Sequence, residues 1–477
     1  MPQALLLDRP QHQQGQRRRQ TDHNDETPRH MHRQGIGAYK IVLLLIYGFC
    51  FWLLIKYLLW DYVSRLLFGT YYPREAFEKR DRDLLDEIEL NCDEILSGNQ
   101  SAIQKAKLMQ YNPHAVEKLI LDADNRCLAI RSLFGFDNKP SSRAEVDYPL
   151  AYGLIVYKNL VQILFMLSSF YRPQNEYCIA VSGAAEPMLK LILAEVDSCF
   201  DNIRVLNRPR IDWGSFEIIN STFACLEVLS SVETPWKYYQ YLSGVDIPLK
   251  TNLEMVEIFK KWNNTVNSEI GMYQPQRIRS KRIESAPLPL FKSSLSATLP
   301  RAAVDRIVES SEARELLQFL RHTSIPDESF WTTLAGNVEK FPLPGGLDAA
   351  QWIAYRLQYE KKHKEDLMSF RKEKYAMRYY LSRYQLWDGS RCRGKMSSGS
   401  CVFGLNDLAD LLRQPHLVAH KLYLDFEPAA YFCGLKEIRD RENKPFQLDV
   451  APYALIPQVE LSAGIPYENL TNPLWMF

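Results

Sequence analysis

From Ile41 to Trp60 the chain reads IVLLLIYGFCFWLLIKYLLW, twenty residues with one charge, Lys56. A helix of about twenty apolar residues matches the thickness of a bilayer's hydrocarbon core. A cleaved signal peptide has a shorter apolar region followed by small residues, whereas Trp60, Asp61 and Tyr62 stand here. A buried core helix is the competing reading, and the aromatic ends and basic upstream flank favour the membrane. The run therefore predicts a transmembrane signal anchor over residues 41–60. Arg17, Arg18, Arg19, Arg29, Arg33 and Lys40 precede it. They keep the disordered, Gln- and His-rich tail of residues 1–40 cytosolic, so the rest of the chain faces a lumen or the exterior.

Two features agree with that side. Sequons occur at Asn99, Asn220, Asn263 and Asn469, each a candidate glycosylation site in the secretory pathway. Of nine cysteines, Cys50 lies in the apolar run, leaving Cys92, Cys127, Cys178, Cys199, Cys225, Cys392, Cys401 and Cys433. An even number in an oxidising compartment predicts four disulfides, and counting alone leaves the pairs open. No Cys-x-x-Cys pair or His-rich partner gives zinc-ligand spacing, so no metal site is expected. Formal net charge is +1, from 58 Lys and Arg against 57 Asp and Glu, so no nucleic-acid partner is expected.

Residues 61–143 are charged and helix-prone and read as a stem and lead-in. Near Tyr148 the texture changes. The stretch YPLAYGLIVYKNLVQILFMLSSF opens as a strand and continues at helical spacing, YCIAVS is a short buried strand, and a helix and the strand NIRVLN follow. Alternation of this kind predicts an α/β fold with a mostly parallel sheet covered by helices, over residues 144–441, with residues 442–477 as a C-terminal extension. In such sheets ligands sit beyond the carboxyl ends of the strands, which makes Ser182 and Gly183 a candidate wall. No P-loop or Gly-x-Gly-x-x-Gly is present, which argues against a P-loop ATPase or a nicotinamide enzyme. Further on, WKYYQYLSGVDIPLKTNLEMVEIF ends a strand in a turn carrying Asp246 and begins a helix near Thr251 or Asn252. The stretch SIPDESFWTTL places Asp327 and Glu328 where Ser324 would cap a helix and Pro326 would occupy its first turn.

The segments YRPQNEYCIAV, SCFDNI, WKYYQYLSGVDIPLKTNLEMV, SIPDESFWTTL, CVFGLNDL and LVAHKLYLDF, in this order and spacing, resemble the core 2/I-branching β-1,6-N-acetylglucosaminyltransferase family. The resemblance runs from about Cys92 to Arg441 and includes all eight cysteines after the span. It implies a Golgi type II membrane protein with a GT-A-like mixed, mostly parallel sheet flanked by helices. It also implies transfer with inversion from a UDP-sugar to a mucin-type O-glycan on a glycoprotein, with no metal and no other cofactor; a homodimer is left open. Glu328 takes the place of the family's catalytic base, kept ionised on this reading by the helix dipole, with Asp327 capping or orienting. Asp246 would lie near the donor, and Lys421 matches the diphosphate lysine. Asp81–Asp83 and Asp122–Asp124, the Asp-x-Asp pairs, precede the sheet and are rejected as metal ligands. The family's disulfide scheme pairs Cys92 with Cys433, Cys127 with Cys199, Cys178 with Cys225, and Cys392 with Cys401.

The departures fall on the donor and acceptor sides. Relatives carry His and Asp where Ala180 and Ser182 stand, and Ser398 replaces the second diphosphate base, so Arg393 or Lys395 is expected to supply that charge. The acceptor segment reads FKSSLS, and the acceptor glutamate falls on Val266. These changes keep a second reading open, a catalytically weak or inactive relative that binds glycans or a partner.

Overall fold

The computed structural model describes Lys56 and residues 83–136, 142–278 and 286–477. The expected anchor, Ile41–Trp60, and the tail before it lie outside the described residues, apart from Lys56. Among the described residues no helix is long and apolar enough to cross a membrane.

The centre is a five-stranded sheet. Strands β1 (Leu150–Val156), β2 (Glu176–Val181), β3 (Ile203–Asn207) and β4 (Tyr238–Ser243) are parallel, in the order β3-β2-β1-β4. After β5 (Asp246–Pro248), strand β6 (Thr298–Pro300) closes the sheet antiparallel to β4. Helices Leu160–Phe170, Pro187–Cys199 and Phe216–Ser231 carry the three crossovers, as parallel neighbours require. The reason lies in side-chain alternation. Tyr152, Leu154 and Val156 join Tyr177, Ile179 and Val181 in the larger core, whereas Ala151, Cys178, Ala180, Tyr239 and Tyr241 face a second core. Both faces are apolar, so both must be covered. Each fully buried large side chain contributes roughly 1.5–3 kcal/mol, and Tyr177, Tyr238 and Trp262 are all under 2% exposed.

Strand order changes direction between β1 and β4, and β4 ends at Ser243 with a turn into β5. A second sheet runs β5-β8-β7, with β7 Tyr384–Gln385 and β8 Val418–His420. It places His420 directly opposite Asp246. Thr251 caps the following helix, Asn252–Trp262, in a capping box with Glu254, where the sequence places a helix start.

The expected divisions at 143/144 and 441/442 mark no break in packing, since residues Arg80–Phe477 form one compact unit. What reads as a charged stem is, from residue 83, a set of short amphipathic helices whose apolar faces are buried. Leu85, Val116, Ile120, Ile130 and Phe134 belong to the larger core. Asp83 caps the first of these helices and pairs with Arg439 at 2.7 Å. At the other end Tyr453, Ile456 and Val459 enter the same core, and Leu470 and Met476 pack with Trp352 and Tyr379. Four disulfides pin these parts: Cys92–Cys433, Cys127–Cys199, Cys178–Cys225 and Cys392–Cys401. They are the pairs the resemblance implies.

Gly153 sits in the middle of β1, between Cys178 and Tyr241. A Cβ there would stand 2.5 Å from the hydroxyl of Tyr239, which is fully buried and has no room to move. Gly153→Ala is expected to destabilise the fold by about 1–3 kcal/mol, read as a lower chemical-denaturation midpoint at unchanged slope.

Candidate active site

The carboxyl end of β4 opens onto a cavity of about 920 Å³, the place where parallel sheets of this kind hold ligands. Its walls include Tyr241 and Ser243 from β4, the turn carrying Asp327 and Glu328, and the segment from Arg371 to Arg391.

Asp327 and Glu328 do not begin an α-helix. Pro326–Glu328 is a single 3-10 turn, and the α-helix starts at Phe330, after Ser329, with Ser324 five residues before Ser329. Ahead of the proline, Ile325 has φ +52°, a left-handed conformation uncommon for a β-branched residue. It is held there because its carbonyl accepts from the Glu328 N–H and from Arg277 Nη1. The expected helix-dipole partner of Glu328 is replaced by a guanidinium: Arg277 Nη2 donates to Glu328 Oε2 at 2.6 Å. Arg277 is itself fixed by Gln274 Oε1 at 2.6 Å. Nothing in the sequence around Arg277 marks this role, because the contact spans 51 residues.

Asp327 is 7% exposed, and its Oδ1 has no hydrogen-bond partner among the described residues. Burial, and then the neighbouring Glu328 charge, push its carboxyl up to about 7, against the pull of Arg277 and Arg383. Asp327 therefore keeps its proton to higher pH than an ordinary carboxyl, and in that form it offers a hydrogen-bond donor beside Glu328.

Asp246 is fully buried. It accepts from the Ser243 N–H at 2.8 Å, from Ser243 Oγ at 2.9 Å and from His420 Nδ1 at 2.7 Å. Burial favours its neutral form, but the His420 hydrogen bond and charge and the Arg383 charge outweigh burial and hold it below the usual carboxylate range. Burial and Arg383 push His420 down. The pair is thus a buried carboxylate held by the His420 ring, with Ser243 and His420 on the cavity wall.

The other expected donor residues do not line this cavity. Ser182 is buried at the end of β2, and its Oγ accepts from the N–H groups of Ile211 and Ala184. It ties β2 to the loop after β3. Lys421 Nζ donates to the Ser397 carbonyl at 2.8 Å. Arg393 pairs with Asp410 at 3.0 Å, and Lys395 lies 4.3 Å over the Phe426 ring. These three cations gather around the hairpin Lys395–Ser397 and Ser400–Val402, closed by Cys392–Cys401. Val266 is a core residue, and Trp331, also buried, donates to the Leu295 carbonyl. Asn99, Asn263 and Asn469 are exposed, whereas Asn220 lies half-buried within a helix, its amide on Glu217. Among the described residues no group of three or more His, Cys, Asp or Glu is placed to hold a metal.

The Core-2/I-branching enzyme family matches residues 150–411, which span the sheet, the cavity turn and the disulfide hairpin. The chain belongs to the Core-2/I-branching enzyme family. It is a glycosyltransferase. It is 26% identical over 385 residues to the human β-1,3-galactosyl-O-glycosyl-glycoprotein β-1,6-N-acetylglucosaminyltransferase, covering 74% of this chain and 86% of that one. A mouse enzyme of the same name, numbered 3, is 25% identical over 358 residues, covering 70% and 78%. A human one called probable and numbered 7 is 26% identical over 388, covering 76% and 84%.

In this branching-enzyme site the raised Asp327 carboxyl makes stability depend on pH. The folded chain holds a proton that the unfolded chain loses from about pH 4 upward. The contribution of Asp327 to stability is therefore full below pH 4 and falls as pH rises to 7, by at most about 4 kcal/mol. Asp327→Asn removes the cost of the charge. Its melting temperature is expected to exceed wild type at pH 8 and to converge with it toward pH 4, measured by thermal unfolding across that range.

Proposed function

We propose that this family member is an inverting, metal-independent glycosyltransferase with a GT-A-like fold. It would move N-acetylglucosamine or a related hexose from a UDP-sugar to a mucin-type O-glycan. The observation that carries the reading is the Glu328 carboxylate on the wall of the cavity at the strand ends, with Oε2 fixed by Arg277. A base held at one oxygen keeps a defined direction toward an acceptor. Glu328 takes the proton of the acceptor hydroxyl as that oxygen attacks the anomeric carbon. The bond from that carbon to the diphosphate breaks on the opposite face, and UDP leaves with the electron pair. Cationic side chains stabilise the charge that develops there.

Support for the acceptor class comes from the relatives' names, which specify O-glycosyl glycoproteins. A single-pass Golgi location with the enzyme in the lumen is supported by the apolar run Ile41–Trp60, its basic upstream flank and the four disulfides. In this reading Asp246 acts near the donor by holding His420 and the turn at Ser243, and Lys421 braces the hairpin.

The purified full-length chain, incubated in EDTA with a panel of UDP-sugars and O-glycan acceptors, is expected to turn over with at least one pair. Glu328→Gln is expected to lower kcat by about 10²–10⁴-fold. Loss of turnover in EDTA that returns with a divalent cation overturns the metal-free mechanism. A wild-type chain that binds glycans yet turns over no donor marks it as a binding protein.

A further inference from the structure

Arg383 precedes β7 and is 9% exposed, yet it lines the cavity. Its Nε has no hydrogen-bond partner, and no carboxylate stands within ion-pair distance of its guanidinium, among the described residues. Its closest partner of note is the face of Tyr241, 5.9 Å from the guanidinium carbon. A charge removed from water without an ionic partner is costly. Where such a group faces an open cavity, an incoming anion supplies the missing partner.

Two further cations line the same wall. Arg378, half-buried, donates from Nη1 to the main-chain oxygen of Phe477. Burial and then the like charges of Arg391 and Arg371 disfavour its charged form. Arg391 is exposed and has neither an ion pair nor a side-chain hydrogen bond among the described residues. Their neighbours differ, since Arg371 pairs with Glu360 and Lys374 with Asp410. Of the wall's carboxylates, Glu269 is engaged by Lys292 and Glu328 by Arg277, while Asp327 feels the charge of Arg383 without an ion pair to it among the described residues. Glu373, exposed on the same wall, makes no ion pair with Arg378.

We propose that Arg383, Arg378 and Arg391 form an anion-binding subsite inside the cavity, which takes a phosphate-, sulfate- or carboxylate-type group of a substrate. The subsite rests on reading this cavity as the catalytic one. It stands apart from Lys421, Arg393 and Lys395, which sit around the disulfide-closed hairpin and do not line this cavity. The anion has two sources, the donor's diphosphate or an acidic substituent on the acceptor glycan, and both carry the planar or tetrahedral oxygens that guanidinium forks match.

Calorimetric titration of the full-length chain in EDTA with inorganic pyrophosphate and with sulfate tests the subsite without turnover. Saturable binding of at least one is expected. Arg383→Gln and Arg391→Gln should each weaken it by about tenfold or more, whereas Arg143→Gln, a fully exposed change far along the chain, should leave it unaltered. The exposed Arg391 variant keeps the test open if the buried one fails to fold. UDP and uridine then separate the sources. Weakened UDP with unchanged uridine in the variants assigns the donor diphosphate. Unchanged UDP, with a raised KM for a sulfated or uronic-acid acceptor and not for its neutral counterpart, assigns the acceptor. Failure of pyrophosphate, sulfate and UDP all to bind the wild type, or wild-type binding in folded Arg391→Gln and Arg383→Gln, overturns the subsite. Intact pyrophosphate binding in a chain with no transferase activity overturns only the catalytic reading.

Discussion

Everything in this molecule depends on burying both faces of β1, β2 and β4 at once. These strands carry almost no polar side chain, so water must be excluded above and below, and helices must fill both layers. Polar chemistry is thereby pushed to the one place where backbone groups leave the sheet, the carboxyl ends of the strands. Ser243, the last residue of β4, and Asp246, the first of β5, lie there, and β8 brings His420 opposite Asp246. The same demand for coverage recruits the amphipathic helices from residue 83 and the segment around Tyr453, so neither behaves as an appendage.

The cavity that results is electrostatically uneven. On one side, Asp246, Ser243 and His420 satisfy one another in a closed hydrogen-bond set. On the other, Arg277 takes up the charge of Glu328, while Asp327 is left with an unpartnered oxygen. Between them Arg383 acts on both Asp246 and Asp327 without touching either. The two adjacent carboxyls sit in different environments, Glu328 held by Arg277 and Asp327 buried, with its carboxyl pushed up.

Much of the fold was legible in the residues. The strands LAYGLIV, EYCIAV and YYQYLS are short apolar runs, and the helix from Asn252 announces itself by Thr251 and Glu254 three residues on. The turn at Pro326 was less legible. Ser324, Pro326 and two acids satisfy local rules for a helix start, yet the chain makes one 3-10 turn, because Ile325 is held in a left-handed conformation by contacts with Arg277, 48 residues earlier in sequence. The charged texture of residues 83–136 concealed buried faces for a similar reason, since each helix is short and its apolar stripe holds only one or two residues.

By itself the sequence determined the parallel sheet, the position of the acidic turn and, through resemblance, the family and the cysteine pairs. The sheet and the turn are set by periodicity and local turn chemistry, whereas the family and the pairs follow from the resemblance alone, since Cys92 and Cys433 lie 341 residues apart. Tertiary structure decided which charges meet. It gave Glu328 to Arg277, turned Ser182 inward, gathered Lys421, Arg393 and Lys395 around the hairpin, and placed Arg383 on the cavity wall. Each of these outcomes depends on how far apart two side chains end up after packing, and Coulomb and hydrogen-bond energies are decided at distances of a few ångströms that no one-dimensional spacing encodes.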